Sequence, residues 1–296
     1  MWVIKYRSFF YILSGLAIVA SLAAVAMYGL NLGIDFKGGT TIELDYGQNR
    51  PETAELRASL DKANLGNLLV QPVDESGMVI RSKNLSPEEK NSLTKQASVE
   101  GKYSFTEKRS DSIGPTLGNE LATRGIIAIV IVALMIVLFI SFAFWGVSRP
   151  VASWKYGIIA ISTLAHDVII PTGVFALLGH FKGTEIDALF LTALLTILGL
   201  SVNDTIVVFD RIRENLKNKV APHFEDVVGM SLSQTFTRSI NTSMTVILVL
   251  LAVYFFGSPT TKDFALVLTI GMVVGTYSSI FIASPLLVTW EKWSRK

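Results

Sequence analysis

The apolar residues of this chain fall in blocks, except between the first two blocks, where they fall in stripes. Six stretches, approximately residues 9–30, 125–146, 156–178, 187–209, 239–257 and 264–289, stay mostly apolar over the roughly 20 residues a helix needs to cross a bilayer. Between the first and second, Thr41 to Tyr46 alternates polar and apolar positions, which predicts a half-buried strand. A helix is expected from Pro51, with Leu56 and Leu60 on one face. Strands follow over Asn67–Val73 and Met78–Arg81, on either side of a turn at Asp74-Glu75-Ser76-Gly77. Ser86-Pro87-Glu88-Glu89 has the form of a helix start: a serine cap, proline at the first helical position and glutamate three residues after the cap. A last strand is expected over Lys102–Glu107, and the order β-α-β-β-α-β predicts a ferredoxin-like split βαβ sandwich.

The expected fold is a polytopic α-helical membrane protein of six transmembrane helices, with one small α+β ferredoxin-like extracytoplasmic domain between helices 1 and 2. Three regions follow: residues 1–30 with the first span, 31–123 as the outer domain, and 124–296 with spans two to six. With the N-terminus inside, the cytoplasmic segments hold Lys5, Arg7, Arg149, Lys155, Arg211, Arg213, Lys217, Lys219, Arg238, Lys292, Arg295 and Lys296. The two short outer loops hold only Lys182 and Lys262, so the positive-inside rule places both termini in the cytoplasm. Ala24-Val25-Ala26 mimics a signal-cleavage site, but the run from Ser8 to Ile34 has no charge and is long for a signal-peptide core. The first span is read as a retained anchor.

Composition agrees with the block pattern. Half of the residues are hydrophobic and 17% are charged, with a mean hydropathy of +0.48, more apolar than a soluble domain of this size. The net charge of +2 gives no reason to expect nucleic acid, because the basic residues lie in loops beside apolar blocks. The absence of cysteine excludes disulfides, thiolate catalysis and cysteine metal sites. The outer segment is nearly neutral and holds no nucleophile–base constellation, metal spacing or phosphate loop, so neither cofactor nor metal is expected.

Asp204 is the outstanding group. It is the only charge between Asp187 and Asp210, in a span where an ionised carboxylate facing lipid would cost about 2.5–3.5 kcal/mol. Such a group is expected to face a helix bundle and to handle protons or ions; the plainer reading is a polar residue that stabilises helix packing. Arg238 lies near the inner end of the fifth span, at a depth Asp204 can reach, and an Arg that approaches and leaves a carboxylate could load and unload a proton. Interfacial snorkelling is its other reading. His166 and Asp167 lie near the middle of the third span, either as part of a proton path or as ties between helices. Asn203, Thr205, Asn241, Thr242, Ser243 and Thr245 offer hydrogen bonds in the same layer. Phe209 to Asn215 reads as a solvated helix end, Val220–Ser233 as an amphipathic cytoplasmic connector, and Gly271, Gly275, Ser278, Ser279 and Ala283 as a small-residue packing face. Asp35, Gly38 and Gly39 tether the first span to the first strand, and Gly114 and Pro115 precede the second span. The glycines form either a hinge or merely the start of a strand.

Several motifs occur in order along nearly the whole chain: Gly33-Ile34-Asp35-Phe36-Lys37-Gly38-Gly39-Thr40, Ile113-Gly114-Pro115, Ala165-His166-Asp167, Val202-Asn203-Asp204-Thr205 running on to Asn215, and Arg238 with Thr242-Ser243. Their combination resembles the SecF family of the bacterial Sec protein-export machinery, a branch of the resistance–nodulation–division transporters. The resemblance implies a non-enzymatic translocase subunit of the bacterial inner membrane. It would pair with a homologous SecD chain and use the proton-motive force, or sodium, to promote preprotein export through SecYEG. It also implies that Asp204 and Arg238 are the transport-essential carboxylate and arginine. Three other readings stand beside it: an intramembrane aspartyl protease using Asp167 and Asp204, a non-transporting scaffold, and a small-molecule exporter of the same superfamily. The protease lacks its Tyr-Asp and Gly-x-Gly-Asp contexts here.

Overall fold

A computed structural model of the chain describes residues 2–144 and 151–294. Arg149, Arg295 and Lys296 of the charge pattern, and the end of the second apolar stretch, lie outside the described residues. The elements in chain order are α1 (Trp2–Lys5), α2 (Arg7–Tyr28), α3 (Ile34–Lys37), β1 (Gly39–Asp45), α4 (Thr53–Asp61), β2 (Leu69–Val73), β3 (Gly77–Ser82), α5 (Pro87–Ala97) and β4 (Thr106–Ile113). They continue with α6 (Pro115–Ala143), α7 (Ser153–Lys182), α8 (Ala188–Lys217), α9 (Phe224–Phe256), α10 (Pro259–Ser278), a π-helical turn (Ser279–Ala283) and α11 (Ser284–Ser294). Two compact units result, one from residues up to Asn31 together with those from Ile127 onward, the other Leu32–Ile126.

The larger unit is helical. Among the described residues six helices are long and apolar enough to cross a membrane: α2, α6, α7, α8, α9 and the path from α10 through the π turn into α11. α7, α8 and the sixth span are the buried ones; α2, α6 and α9 present most of their apolar surface outward, which suits lipid or another chain rather than water. One expectation is corrected here. The segment from Phe224 to Ser233 is not a separate connector, because α9 runs unbroken from Phe224 through the fifth apolar stretch. Phe224, Val227, Val228, Ser231, Leu232 and Thr235 are buried at helical spacing. The amphipathic pattern of residues 224–233 therefore belongs to the same helix as the fifth apolar stretch, and it joins the cluster that holds Val208, Phe209 and Ile212 of α8.

The smaller unit is an α+β layer. Its four strands are ordered β2-β3-β1-β4, with every neighbouring pair antiparallel. Ile42 and Leu44 of β1, and Tyr46 just after it, alternate inward and meet Met78 and Ile80 of β3, Leu56 and Leu60 of α4, and Leu93 of α5 in one core. The Ser86 start forms a full capping box: its hydroxyl accepts from the Glu89 amide, and the Glu89 carboxylate accepts from the Ser86 amide. The last strand is the second correction. Residues 102–105 lead out of a turn in which Val99, Glu100 and Gly101 all have positive φ, and β4 begins only at Thr106. β4 is a sheet edge with most of its residues solvated, so it carries no apolar alternation by which to place it.

Surface carboxylates give this unit an acid sensitivity. Asp45 is held well below the usual carboxylate range by hydrogen bonds from Ser76 and the Gly47 amide and by Lys108. Glu55 is lowered by Lys102 and Tyr103, Glu89 by the Ser86 amide and Lys83, and Glu100 by Lys62. Because the folded values are depressed, the stabilisation is complete above the unfolded carboxylate values and is lost as pH falls below them. Thermal unfolding of residues 32–126 is expected to be level between about pH 6 and 8 and to shift downward below about pH 4. The groups are exposed, so the shift should be modest and reduced by salt. A midpoint that does not fall on acidification would contradict this account.

Candidate functional site

α8 buries one face, repeating through Ala193, Leu194, Ile197, Leu198, Ser201, Asp204, Thr205 and Val208. That period carries Asp204 inward until it is only 7% exposed. Its Oδ2 accepts a hydrogen bond from the Ser243 hydroxyl of α9 at 3.2 Å. Ser243 Oγ accepts in turn from Thr276 Oγ1 of α10 at 2.5 Å, and lies 2.9 Å from the Ser239 carbonyl. A serine hydroxyl has one proton, so Ser243 donates either to Asp204 or to its own helix.

Asp167 of α7 is more fully enclosed, with no exposed surface. Its Oδ1 is 2.9 Å from His166 Nδ1, and its Oδ2 accepts from Ser201 of α8 at 2.5 Å and Ser278 of α10 at 2.8 Å. The His166 ring stacks on Tyr277, with 6.2 Å between ring centres, and its Nε2 has no hydrogen-bond partner among the described residues. Thr205 Oγ1 and Ser279 Oγ share a hydrogen bond of 2.8 Å. Asp204, Asp167, His166, Thr205 and Ser243 thus lie in one buried polar region spanning α7 to α10.

The other residues singled out lie elsewhere. Arg238 is exposed on α9, one position before buried Ser239. The side-chain hydrogen bond at the Asp204 carboxyl comes instead from the Ser243 hydroxyl. Asn203 and Thr242 are exposed, as are Asn241 and Thr245. Asp35, Gly38, Gly39, Gly114 and Pro115 meet within the smaller unit: a Cβ on Gly38 would stand 2.7 Å from the Pro115 Cα, and one on Gly39 2.7 Å from the Ser82 carbonyl. Asp35 sits half-buried in α3 just before them.

Sequence reasoning missed Ser201 and Thr276, and it took Ser278 and Ser279 for packing residues. The available signal was the run Thr276-Tyr277-Ser278-Ser279, four hydroxyls in succession within an apolar span. The packing role of the glycines in that span is present as well. Gly271 lies against Ile197 and Gly275 against Ser201, where an added Cβ would come within 2.2 and 3.0 Å.

Known proteins match the chain along its length. The family described as protein export membrane protein SecD/SecF, C-terminal, matches residues 93–293, and the SecD/SecF GG motif matches residues 23–49, around Gly38 and Gly39. Protein translocase subunit SecF of Thermobaculum terrenum is 45% identical, over 98% of this chain and 93% of that one. The SecF subunit of Anaerolinea thermophila is 39% identical, over 96% and 92%. The crystal structure of SecDF from Thermus thermophilus, titled a translocon-associated membrane protein, superposes with a TM-score of 0.83 at 31% identity. That match covers 98% of this chain and 38% of the longer SecDF chain. With six apolar helices among its described residues and these relatives, the chain belongs to the SecD/SecF family of protein export membrane proteins, as a multi-pass translocase subunit of the SecF kind.

Proposed function

We propose that this subunit couples the downhill movement of H⁺ or Na⁺ through the bacterial inner membrane to the export of preproteins, working with a SecD partner beside the SecYEG channel. One observation carries the reading: Asp204 is a carboxyl in an apolar span, held by a hydroxyl that can reverse its role. Ionised Asp204 accepts from Ser243. Protonated Asp204 can donate to Ser243, which then turns its single proton to the Ser239 carbonyl while still accepting from Thr276. Asp204 and Ser243 therefore stay hydrogen-bonded to each other in both states, the Ser239 carbonyl taking the Ser243 proton only when Asp204 is protonated, which keeps both states accessible at low cost.

A SecD partner is supported by the outward polar groups. Asn203 on α8, and Arg238, Asn241, Thr242 and Thr245 on α9, are exposed on helices of membrane-crossing length. Polar groups at such positions call for protein or water rather than lipid. Arg238 on this face stands where a partner's motion can bring its charge toward Asp204 or draw it away. The strand order β2-β3-β1-β4 supports reading the smaller unit as a ferredoxin-like domain. The positive-inside pattern supports placing that domain outside the cell and both termini in the cytoplasm.

The test is preprotein export into proteoliposomes holding this chain, its SecD partner and SecYEG, with a proton or a sodium gradient imposed separately. One gradient is expected to raise export, and the matching ionophore to remove the gain. No response to either would sink ion coupling. In the same assay Arg238→Ala is expected to lower the gradient-driven component about tenfold, equivalent to ~1.4 kcal/mol. Arg238→Lys keeps the charge but not the planar fork, and should lose less. Equal, wild-type activity in both would return Arg238 to interfacial snorkelling.

A further inference from the structure

The sixth span presents four consecutive hydroxyl side chains, Thr276, Tyr277, Ser278 and Ser279. Successive helical residues are turned by about 100°, so the four point in different directions, and each meets a different helix. Thr276 donates to Ser243 of α9, Tyr277 accepts from Ser14 of α2 at 3.1 Å, Ser278 donates to Asp167 of α7, and Ser279 bonds Thr205 of α8. The π-helical turn begins at Ser279, and such turns occur often at functional sites.

The two carboxyls on this hub are held in different ways. Asp204 is partly reachable and takes a 3.2 Å hydrogen bond from Ser243. Asp167 is wholly enclosed, with both oxygens occupied by groups from three helices. Ser201 lies three residues before Asp204 on α8, and Ser278 two residues after Thr276 on α10. Asp167 thus ties the turn of α8 that carries Asp204 to the turn of α10 that carries Thr276, the donor to Ser243.

Resting on the reading of Asp204 as the ion-carrying group, we propose that Asp167 is a positioning residue. Through Ser201 and Ser278 it sets the register of α8 and α10 at which Thr276 and Ser243 meet Asp204, and it does not carry the coupling ion itself. A buried carboxyl with both oxygens hydrogen-bonded specifies one arrangement of the helices that supply its partners, and that is the use of Asp167 here. His166 completes the network from α7, and Tyr277 covers the imidazole from α10.

Asp167→Asn separates positioning from carrying. The amide oxygen can accept from Ser201 and Ser278, and the amide nitrogen can donate to His166 Nδ1 if the imidazole takes its other tautomer. The network is retained, and the side chain carries no carboxyl. In proteoliposomes of the complete complex, Asp167→Asn is expected to keep gradient-driven export within about threefold of wild type. The midpoint of its pH dependence should move by about 0.5–1 unit, where one unit corresponds to a tenfold change in proton binding. Ser278→Ala is expected to move the midpoint similarly, and Ser201→Ala serves if Ser278→Ala fails to assemble. Loss of the gradient response in an assembled Asp167→Asn complex would make Asp167 a carrier and overturn the proposal. Unchanged pH dependence in the assembled variants would also overturn it, leaving Asp167 a packing residue. A wild-type complex that ignores both gradients would remove the coupling reading first and this proposal with it.

Discussion

Asp204→Asn is expected to reduce ion-driven export to the level seen without a gradient, while leaving insertion and partner binding intact. Asparagine is nearly isosteric with aspartate, and its side-chain oxygen can keep the hydrogen bond from Ser243, so the helices have little cause to move. What the amide lacks is a proton that can be gained and released. The Ser243 hydroxyl then loses its reason to reverse between Asp204 and the Ser239 carbonyl. The measurement is preprotein export into proteoliposomes with and without the imposed gradient, together with co-purification of the partner. Full gradient stimulation of a well-assembled Asp204→Asn complex would favour the scaffold reading, in which the spans only hold the smaller unit in place.

The second large effect is expected at the paired glycines. Gly38 has φ +75° and ψ 158°, a backbone region open almost solely to glycine and costing other residues about 1–3 kcal/mol. Its Cβ position is also blocked by Pro115, at 2.7 Å from Cα and 2.8 Å from N. Gly39, at φ +146°, would press a Cβ against the Ser82 carbonyl. Gly38→Ala should therefore cost the smaller unit more than Gly47→Ala, because Gly47 has φ +64° but open space around it. Thermal unfolding of residues 32–126 with each change measures the difference. Equal midpoints would mean that the approach of Pro115 contributes nothing. Proline at these sites is a poor means of stiffening the tether: its φ near −65° is far from either glycine's, so it would break the joint.

Much of this protein is legible in the residue order because the physics involved is local. A bilayer's thickness asks for about 20 apolar residues, and each of the six spans supplies them. The Ser86 capping box requires side chains three residues apart, and it forms as the spacing predicts. Asp204 stands out by sequence alone, since nothing in a long apolar run explains a carboxyl. Where packing rather than pattern sets an element, the reading slips. The strand expected over Lys102–Glu107 starts about four residues ahead of β4, because an edge strand shows both sides to solvent and leaves no alternation. The apolar block at 239–257 marks only the later part of α9, because the helix's buried face already begins at Phe224.

The partners within the site were decided only by tertiary structure. Sequence placed Asp204, Asp167, Ser243 and Thr205 in apolar spans, but the angle at which each helix faces its neighbours depends on contacts far away along the chain. Gly275 lets α10 lie close to α8 at Ser201, and that approach accompanies Ser278 and Ser201 meeting on one oxygen of Asp167. Asn203 and Thr242 are adjacent in sequence to Asp204 and Ser243, yet a step of about 100° per residue turns them to the exposed side. Arg238 is on the exposed surface of α9 for the same reason, so its charge is available to a partner while a serine hydroxyl, itself held by a threonine, bonds the buried carboxyl. Residue order determines what chemistry an apolar span contains; only the rotation and closeness of packed helices decide which groups share it.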